Sequence, residues 1–216
     1  MANFNHGLTE SGWKQIAYPE SESLLDLARQ LGTPVPSRSN ASIVDRLVPT
    51  EKETARSRSM SRRYGVGAFP FHTDSANMRV PPRWVLLRLA KEAQSDRATL
   101  LHDFWALPLG TEILCAMCRE VWLVNGTRPP FYSSILNRRI VNGSALLRFD
   151  SCCMRPAHPN FGRSAKVLEE TCANFPPTVI NWYYGRVLVL DNWRMLHARA
   201  DGGPNPQRIL ERVLVR

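Results

Sequence analysis

From residue 64 to the C-terminus the chain is a succession of short β-type runs, and that texture narrows the fold more than any other feature. YGVGAFPFH, RWVLLRLA, ATLLHDFW, FYSSILN, ALLRFDS, TVINWYY and RVLVLDNW are rich in aromatic and branched side chains, and Gly, Pro, Asn or charged turns separate them. The C-terminal RILERVLVR alternates and reads as a last strand. Only two segments, 107–121 and 162–175, carry helical spacing. Many short strands with few helices argue for a sandwich or barrel, mainly β with peripheral helices, and against a doubly wound parallel sheet.

Upstream, SESLLDLARQL (21–31) predicts a short amphipathic helix on Leu24, Leu25, Leu27 and Leu31, with Ser21 or Ser23 as its N-cap. GTPVPSRSN ends it, IVDRLVP reads as a short strand, and 50–63 is a polar, aperiodic loop. With no repeat, low-complexity tract or linker, 1–216 is expected to form a single domain. Residues 64–216 would be its core and 1–63 an N-terminal helix and loop extension.

Composition removes several classes. No apolar run approaches the roughly 20 residues that span a bilayer. MANFNHGLTESGWKQ lacks a charged-then-apolar export signal, which points to the cytoplasm. Five cysteines without such a signal do not make a disulfide framework. Cys115 and Cys118 form a lone C-x-x-C in an apolar, helix-like stretch, with no second pair to complete a tetrahedral zinc site. The net charge of +9 is uneven, with four Arg in ETARSRSMSRR (53–63). That run is either a solvated face or an attractor of anionic ligands or nucleic acid.

One constellation carries chemistry. His72 and Asp74 form an H-x-D element at the end of a β-type run, and residues two apart on an extended chain share a face. H-x-D alone also describes a surface His beside a turn-forming Asp. A second imidazole, His197, follows the buried run VLVL and the turn DNWR. Two imidazoles and one carboxylate on three corners of an octahedron make the facial triad of non-haem iron(II) oxygenases, with three adjacent positions left open. Arg208, eleven residues beyond His197, offers a planar fork for the far carboxylate of a dicarboxylate cosubstrate. Thr99 offers a hydroxyl to the same group.

The strings G-x-F-P-F-H-T-D, P-P-R-W-V-L-L-R, A-T-L-L, R-F-D and L-D-N-W-R-x-L-H-x-R resemble the taurine dioxygenase-like superfamily of Fe(II)/2-oxoglutarate oxygenases. Clavaminate synthase-like enzymes and γ-butyrobetaine hydroxylase are other members. The similarity runs over roughly residues 64–216, and D-N-x-R-x-L-H-x-R is its most specific part. The resemblance implies a double-stranded β-helix (jelly roll) with His72, Asp74 and His197 as metal ligands. Fe(II), 2-oxoglutarate and O2 would be the cofactor and cosubstrates, with Arg208 and Thr99 holding the 2-oxoglutarate. Arg212 matches a position that contacts an anionic substrate in taurine dioxygenase. The implied reaction is hydroxylation of an unactivated C–H bond in a small, polar, carboxylate-bearing molecule, with release of succinate and carbon dioxide. Related halogenases replace the ligand carboxylate by Gly or Ala, and Asp74 keeps it.

Other residues stay open at this level. Arg199 either bonds groups behind the ligands or reaches solvent, and it is a substrate-side candidate together with Arg212 and Tyr64. Tyr64 to Phe71 is a candidate substrate wall, because Gly65 and Gly67 permit close backbone approach. Asp191 and Asn192 are assigned to the turn, and Trp193 to core or pocket wall. Arg148 and Asp150 are an inward polar pair or a solvent face. His102 falls on the face opposite Thr99 and is not a ligand, and His6 and His158 have no supporting context. A basic nucleic-acid-binding or -modifying protein, and a metal-binding jelly roll without oxygenase activity, are the competing readings.

Overall fold

In a computed structural model, residues 8, 10–19, 21–57, 59–90, 97–126, 129–138, 144–202 and 208–216 are described. His6, which entered the sequence reading, lies outside them. The strands are β1 (Trp13–Ala17), β2 (Pro34–Val35), β3 (Val44–Leu47), β4 (Phe69–His72), β5 (Trp84–Leu89), β6 (Thr99–Asp103), β7 (Trp122–Val124) and β8 (Phe131–Ser133). They continue with β9 (Leu136–Asn137), β10 (Leu146–Leu147), β11 (Met154–Pro156), β12 (Thr178–Ile180), β13 (Arg186–Asp191), β14 (Met195–Arg199) and β15 (Leu210–Val215). The α-helices are α1 (Leu24–Leu31), α2 (Met60–Tyr64), α3 (Thr111–Arg119) and α4 (Arg163–Asn174).

Two antiparallel sheets make the jelly roll. The larger runs β1-β13-β5-β15-β2, with β3 also paired to β15, and the smaller runs β12-β6-β14-β4. Side-chain alternation explains how they stack. On β5, Val85, Leu87 and Leu89 face inward and pack with Leu101 of β6, Met195 of β14, and Ile180 and Trp182 at β12. Leu86, between them, turns to the opposite face, where Leu24, Leu27 and Ala28 of α1 cover it together with Val187, Val189, Val213 and Val215. Each such Leu or Val removed from water contributes roughly 1.5–3 kcal/mol. Strands buried on both faces therefore read in the sequence as nearly unbroken apolar runs. Helices α3 and α4 close the outer side of the smaller sheet with Met117, Leu168 and Cys172 around Phe104 and Leu196.

The structure redraws some expected boundaries. Ser23 is the N-cap of α1, its hydroxyl accepting from the Leu25 N–H at 3.2 Å. The run FYSSILN splits into β8 and β9, and ALLRFDS keeps only Leu146–Leu147 as strand. The larger sheet does not begin at residue 64, since β1, β2 and β3 of the N-terminal segment all belong to it. The stretch expected as loop over 50–63 ends in one helical turn, α2, capped by the Ser59 hydroxyl on the Arg62 N–H. Among the described residues no helix is long and apolar enough to cross a membrane.

Candidate functional site

The two histidines meet because their strands pair. Strands β4 and β14 are antiparallel neighbours with His72 directly opposite His197, and the rings lie 4.4 Å apart between centroids. Asp74 follows β4, and its Oδ2 is 3.8 Å from His197 Nε2. Ligand atoms of His72, Asp74 and His197 all fall within 4.8 Å of one another, and no other such group occurs among the described residues. His72 Nδ1 lies 2.9 Å from the Pro70 carbonyl, which takes its N–H and leaves Nε2 as the free lone pair.

Protonation suits a cation here. Burial, then the neighbouring His72, pushes His197 down to about 3, so the imidazole is neutral. Burial alone would raise Asp74, but the Arg212 guanidinium, then His197 and His72, outweigh it and hold the carboxyl below its usual range. Two imidazoles and a carboxylate form a mixed N/O donor set that fits a divalent first-row metal.

The loop that presents Asp74 is fixed from behind. The Asp74 N–H donates to Asn192 Oδ1 at 2.7 Å, while Asn192 Nδ2 donates to the Asp74 and Pro82 carbonyls, both at 2.9 Å. Thr73 pairs with Phe149 in both directions, its N–H donating at 2.8 Å and its hydroxyl accepting at 3.0 Å. Ser75 adopts a left-handed φ of 54°. Strained backbone of this kind persists where surrounding contacts impose it. Buried Arg148 supplies them, donating to the carbonyls of Ala76, Met78 and Arg79. Arg148 is thus the inward member of the Arg148/Asp150 pair. Asp150 instead caps its own turn through the Cys152 N–H at 2.7 Å.

Thr99 and Arg208 form the other end of the site. Arg208 Nη2 donates to Thr99 Oγ1 at 2.6 Å, and Trp182 Nε1 donates to the same oxygen at 3.2 Å. The Thr99 hydroxyl, accepting twice, keeps its own proton to donate onward. Burial, then Arg199 and Arg97, push the Arg208 guanidinium down to about 9, and its Nε is buried with no partner among the described residues. A desolvated cation with an orphaned donor beside a free hydroxyl is an anion site.

Both ends open into one cavity of about 610 Å³, walled by Leu87 and Leu210 on the sheet side. Its outer wall comes from the 45–61 segment, including Thr50, Thr54, Arg56 and Ser59. Phe69, and not Tyr64, lines it from the 64–71 stretch. Tyr64 is half-buried, 6.0 Å from the Phe69 ring. Arg199 lies 3.5 Å over Phe69 and donates to the Gly65 and Gly67 carbonyls, which ties the glycine segment to β14. Arg212 bridges two carboxylates, Nη1 to Asp74 Oδ1 at 2.6 Å and Nη2 to Asp45 Oδ2 at 2.8 Å. His102 bonds the Cys172 carbonyl on the far face, and Trp193 bonds the Pro81 carbonyl away from the main cavity.

Asn192, Trp182, Asp45 and Arg148 were not read as site residues from the sequence. Asn192 carried a signal, a buriable amide directly after an apolar strand. Asp45 carried none, because its partner lies 167 residues away.

No protein-family model matches the sequence, and neither does any curated protein. Solved structures do match in fold. An asparagine oxygenase in complex with Fe(II), 2S,3S-3-hydroxyasparagine and succinate superposes with a TM-score of 0.74 at 18% identity, over 99% of this chain and 77% of that one. PvcB of Pseudomonas aeruginosa gives 0.68 at 18%, over 100% and 80%. OrfP, a non-heme iron oxygenase in complex with Fe and alpha-ketoglutaric acid, gives 0.66 at 16%, over 89% and 62%. The chain shares the jelly-roll fold of these proteins.

Proposed function

We propose that the chain is an Fe(II)- and 2-oxoglutarate-dependent oxygenase that hydroxylates an unactivated C–H bond of a small, polar, carboxylate-bearing molecule. One observation carries the reading: a single cavity joins the His72–Asp74–His197 cluster to the Arg208–Thr99 anion site. A protein binding only a metal has no use for the second end. Solved neighbours in complex with Fe and succinate or alpha-ketoglutaric acid, and with hydroxylated asparagine or arginine, support the same chemistry.

Iron(II), 2-oxoglutarate and dioxygen supply the oxidation when bound, and the cosubstrate leaves as succinate and carbon dioxide. The chain's part is placement. His72, Asp74 and His197 hold the metal, and Arg208 with the Thr99 hydroxyl receives the far carboxylate of the cosubstrate. Trp182 and the strand side chains keep that end dry, which strengthens the ion pair. The substrate enters along the 45–61 wall, whose hydroxyls and Arg56 suit a polar molecule.

The basic 53–63 segment fits this reading better than a nucleic-acid one. Arg62 donates to the carbonyls of Lys52 and Glu53, Arg63 to that of Ser151, and Arg56 lines the cavity. Aerobic incubation with iron(II), 2-oxoglutarate and a panel of amino acids and related carboxylates is expected to release succinate in step with hydroxylated product. In a His72→Ala/Asp74→Ala protein, metal affinity should collapse. Affinity equal to that of the parent would remove the site.

A further inference from the structure

Arg212 sits on the inner face of β15, directly opposite Asp45 on β3. Its two terminal nitrogens serve different carboxylates, Asp74 at 2.6 Å and Asp45 at 2.8 Å. Asp45 is itself held, accepting from the Ser37 hydroxyl at 3.0 Å with Arg38 3.8 Å away. The side chains of Arg212 and Asp45 are each 14% exposed and that of Asp74 10%, so solvent does little to screen the chain of charges. Only Nε of Arg212 lacks a partner among the described residues, and a single donor is not the fork that grips a substrate carboxylate.

We propose that Arg212, clamped by Asp45, is a positioning residue for the metal ligand Asp74. By holding Oδ1, the guanidinium leaves Oδ2, the oxygen nearer His197, as the one presented to the cation. A carboxylate fixed this way binds through one oxygen, which keeps neighbouring coordination positions open. This assignment rests on the metal site of the proposed function. It differs from the anionic-substrate role that the family resemblance implies for Arg212.

The test needs neither substrate nor cosubstrate. Co(II) is titrated into the full-length parent, Asp45→Asn and Arg212→Lys, with metal affinity read from the cobalt absorption bands and folding from the unfolding midpoint of the metal-free proteins. Partners that orient metal ligands typically control affinity by about 10–100-fold, and both variants are expected to weaken Co(II) within that range. Asp45→Asn loses the ionic clamp. Arg212→Lys keeps the charge, but one ammonium does not span both carboxylates, and it carries the test should Asp45→Asn fail to fold. A residue that only contacts substrate leaves metal affinity untouched, so two variants within twofold of the parent overturn the proposal while the metal site stands. A parent that binds no Co(II) overturns both.

Discussion

Arg208 and Thr99 form a polar pair that can be tested separately from the His72–Asp74–His197 cluster. Arg208 donates to Thr99 at 2.6 Å, and its buried Nε has no partner among the described residues. Hydrogen bonds to charged groups are worth about 1.5–3 kcal/mol, so Arg208→Met is expected to weaken 2-oxoglutarate by roughly 10–100-fold. Thr99→Val removes the oxygen on which both Arg208 and Trp182 converge and should weaken it by about tenfold. Titration of the cosubstrate into the metal-loaded protein measures both, and metal affinity should hold in each variant. Cosubstrate binding that survives Arg208→Met unchanged would place that carboxylate elsewhere. These two candidate residues were legible in the sequence, as were His72, Asp74 and His197, because the pattern is local: His72 at the end of a strand with Asp74 two residues on, and Arg208 just before another strand. Tyr64 was misplaced because the glycines beside it turn their carbonyls to Arg199 and carry the phenol off the cavity wall. Asp45 acts across a pairing that no local pattern encodes.

Strands announced themselves in the sequence where both faces are buried, as on β5 and β13, and failed to where an edge leaves one face wet. Trp13–Ala17 reads W-K-Q-I-A, without clean alternation, and is a strand because β13 offers it a register from Trp13 opposite Leu190 to Ala17 opposite Arg186. Helix α2, M-S-R-R-Y, has no apolar stripe and exists through its Ser59 cap and the contacts of Arg62 and Arg63 with distant carbonyls. Helix α4 shows the same dependence on a neighbour. Its N-cap is Gly162, which has no side chain to satisfy the first N–H groups. Buried Glu120, just past α3, does so instead, accepting from the Gly162 N–H at 3.1 Å and from the Ser164 N–H and hydroxyl at 3.4 and 2.6 Å. A negative group at a helix N-terminus also interacts favourably with the positive end of the helix dipole. Glu120→Ala is therefore expected to cost about 1–3 kcal/mol. It should lower the urea midpoint while leaving metal and cosubstrate affinity at parental values. A change in metal affinity would show that the α3–α4 pair reaches the site.

At the scale of the whole molecule, the net charge of +9 proved a poor guide to surface function, because several arginines work inside the protein. Arg97, Arg148 and Arg208 are buried, and Arg199 and Arg212 are mostly so, bound to carbonyls, to hydroxyls or to carboxylates. The jelly roll was legible from the rhythm of strands. Its closure by β1, β2 and β3 was not, since these pair with strands more than a hundred residues away. His72, Asp74 and His197 are buried, which couples them to global stability. An unfolded histidine takes up a proton near pH 6.5, whereas folded His197 resists protonation down to about 3. Below pH 6.5 the unfolded state therefore binds more protons, and stability falls as the pH drops toward 3. His102, lowered by burial, acts in the same sense. Asp74, held low, adds stability that is present above its unfolded value and lost as pH falls through the folded one. Asp191, raised by burial, opposes them within the carboxylate range alone. The urea midpoint of the metal-free protein should thus decline steadily from pH 7 to pH 5, before carboxylates titrate. At pH 7, metal at a hundred times its dissociation constant adds about 2.7 kcal/mol, a rise of roughly 5–10 °C in Tm for a chain of this size. His197→Ala should abolish that rise and flatten much of the acid-side decline. A Tm increase that persists in His197→Ala would mean that the metal binds elsewhere, and a flat midpoint in the parent would mean that His197 is not buried as a neutral ligand.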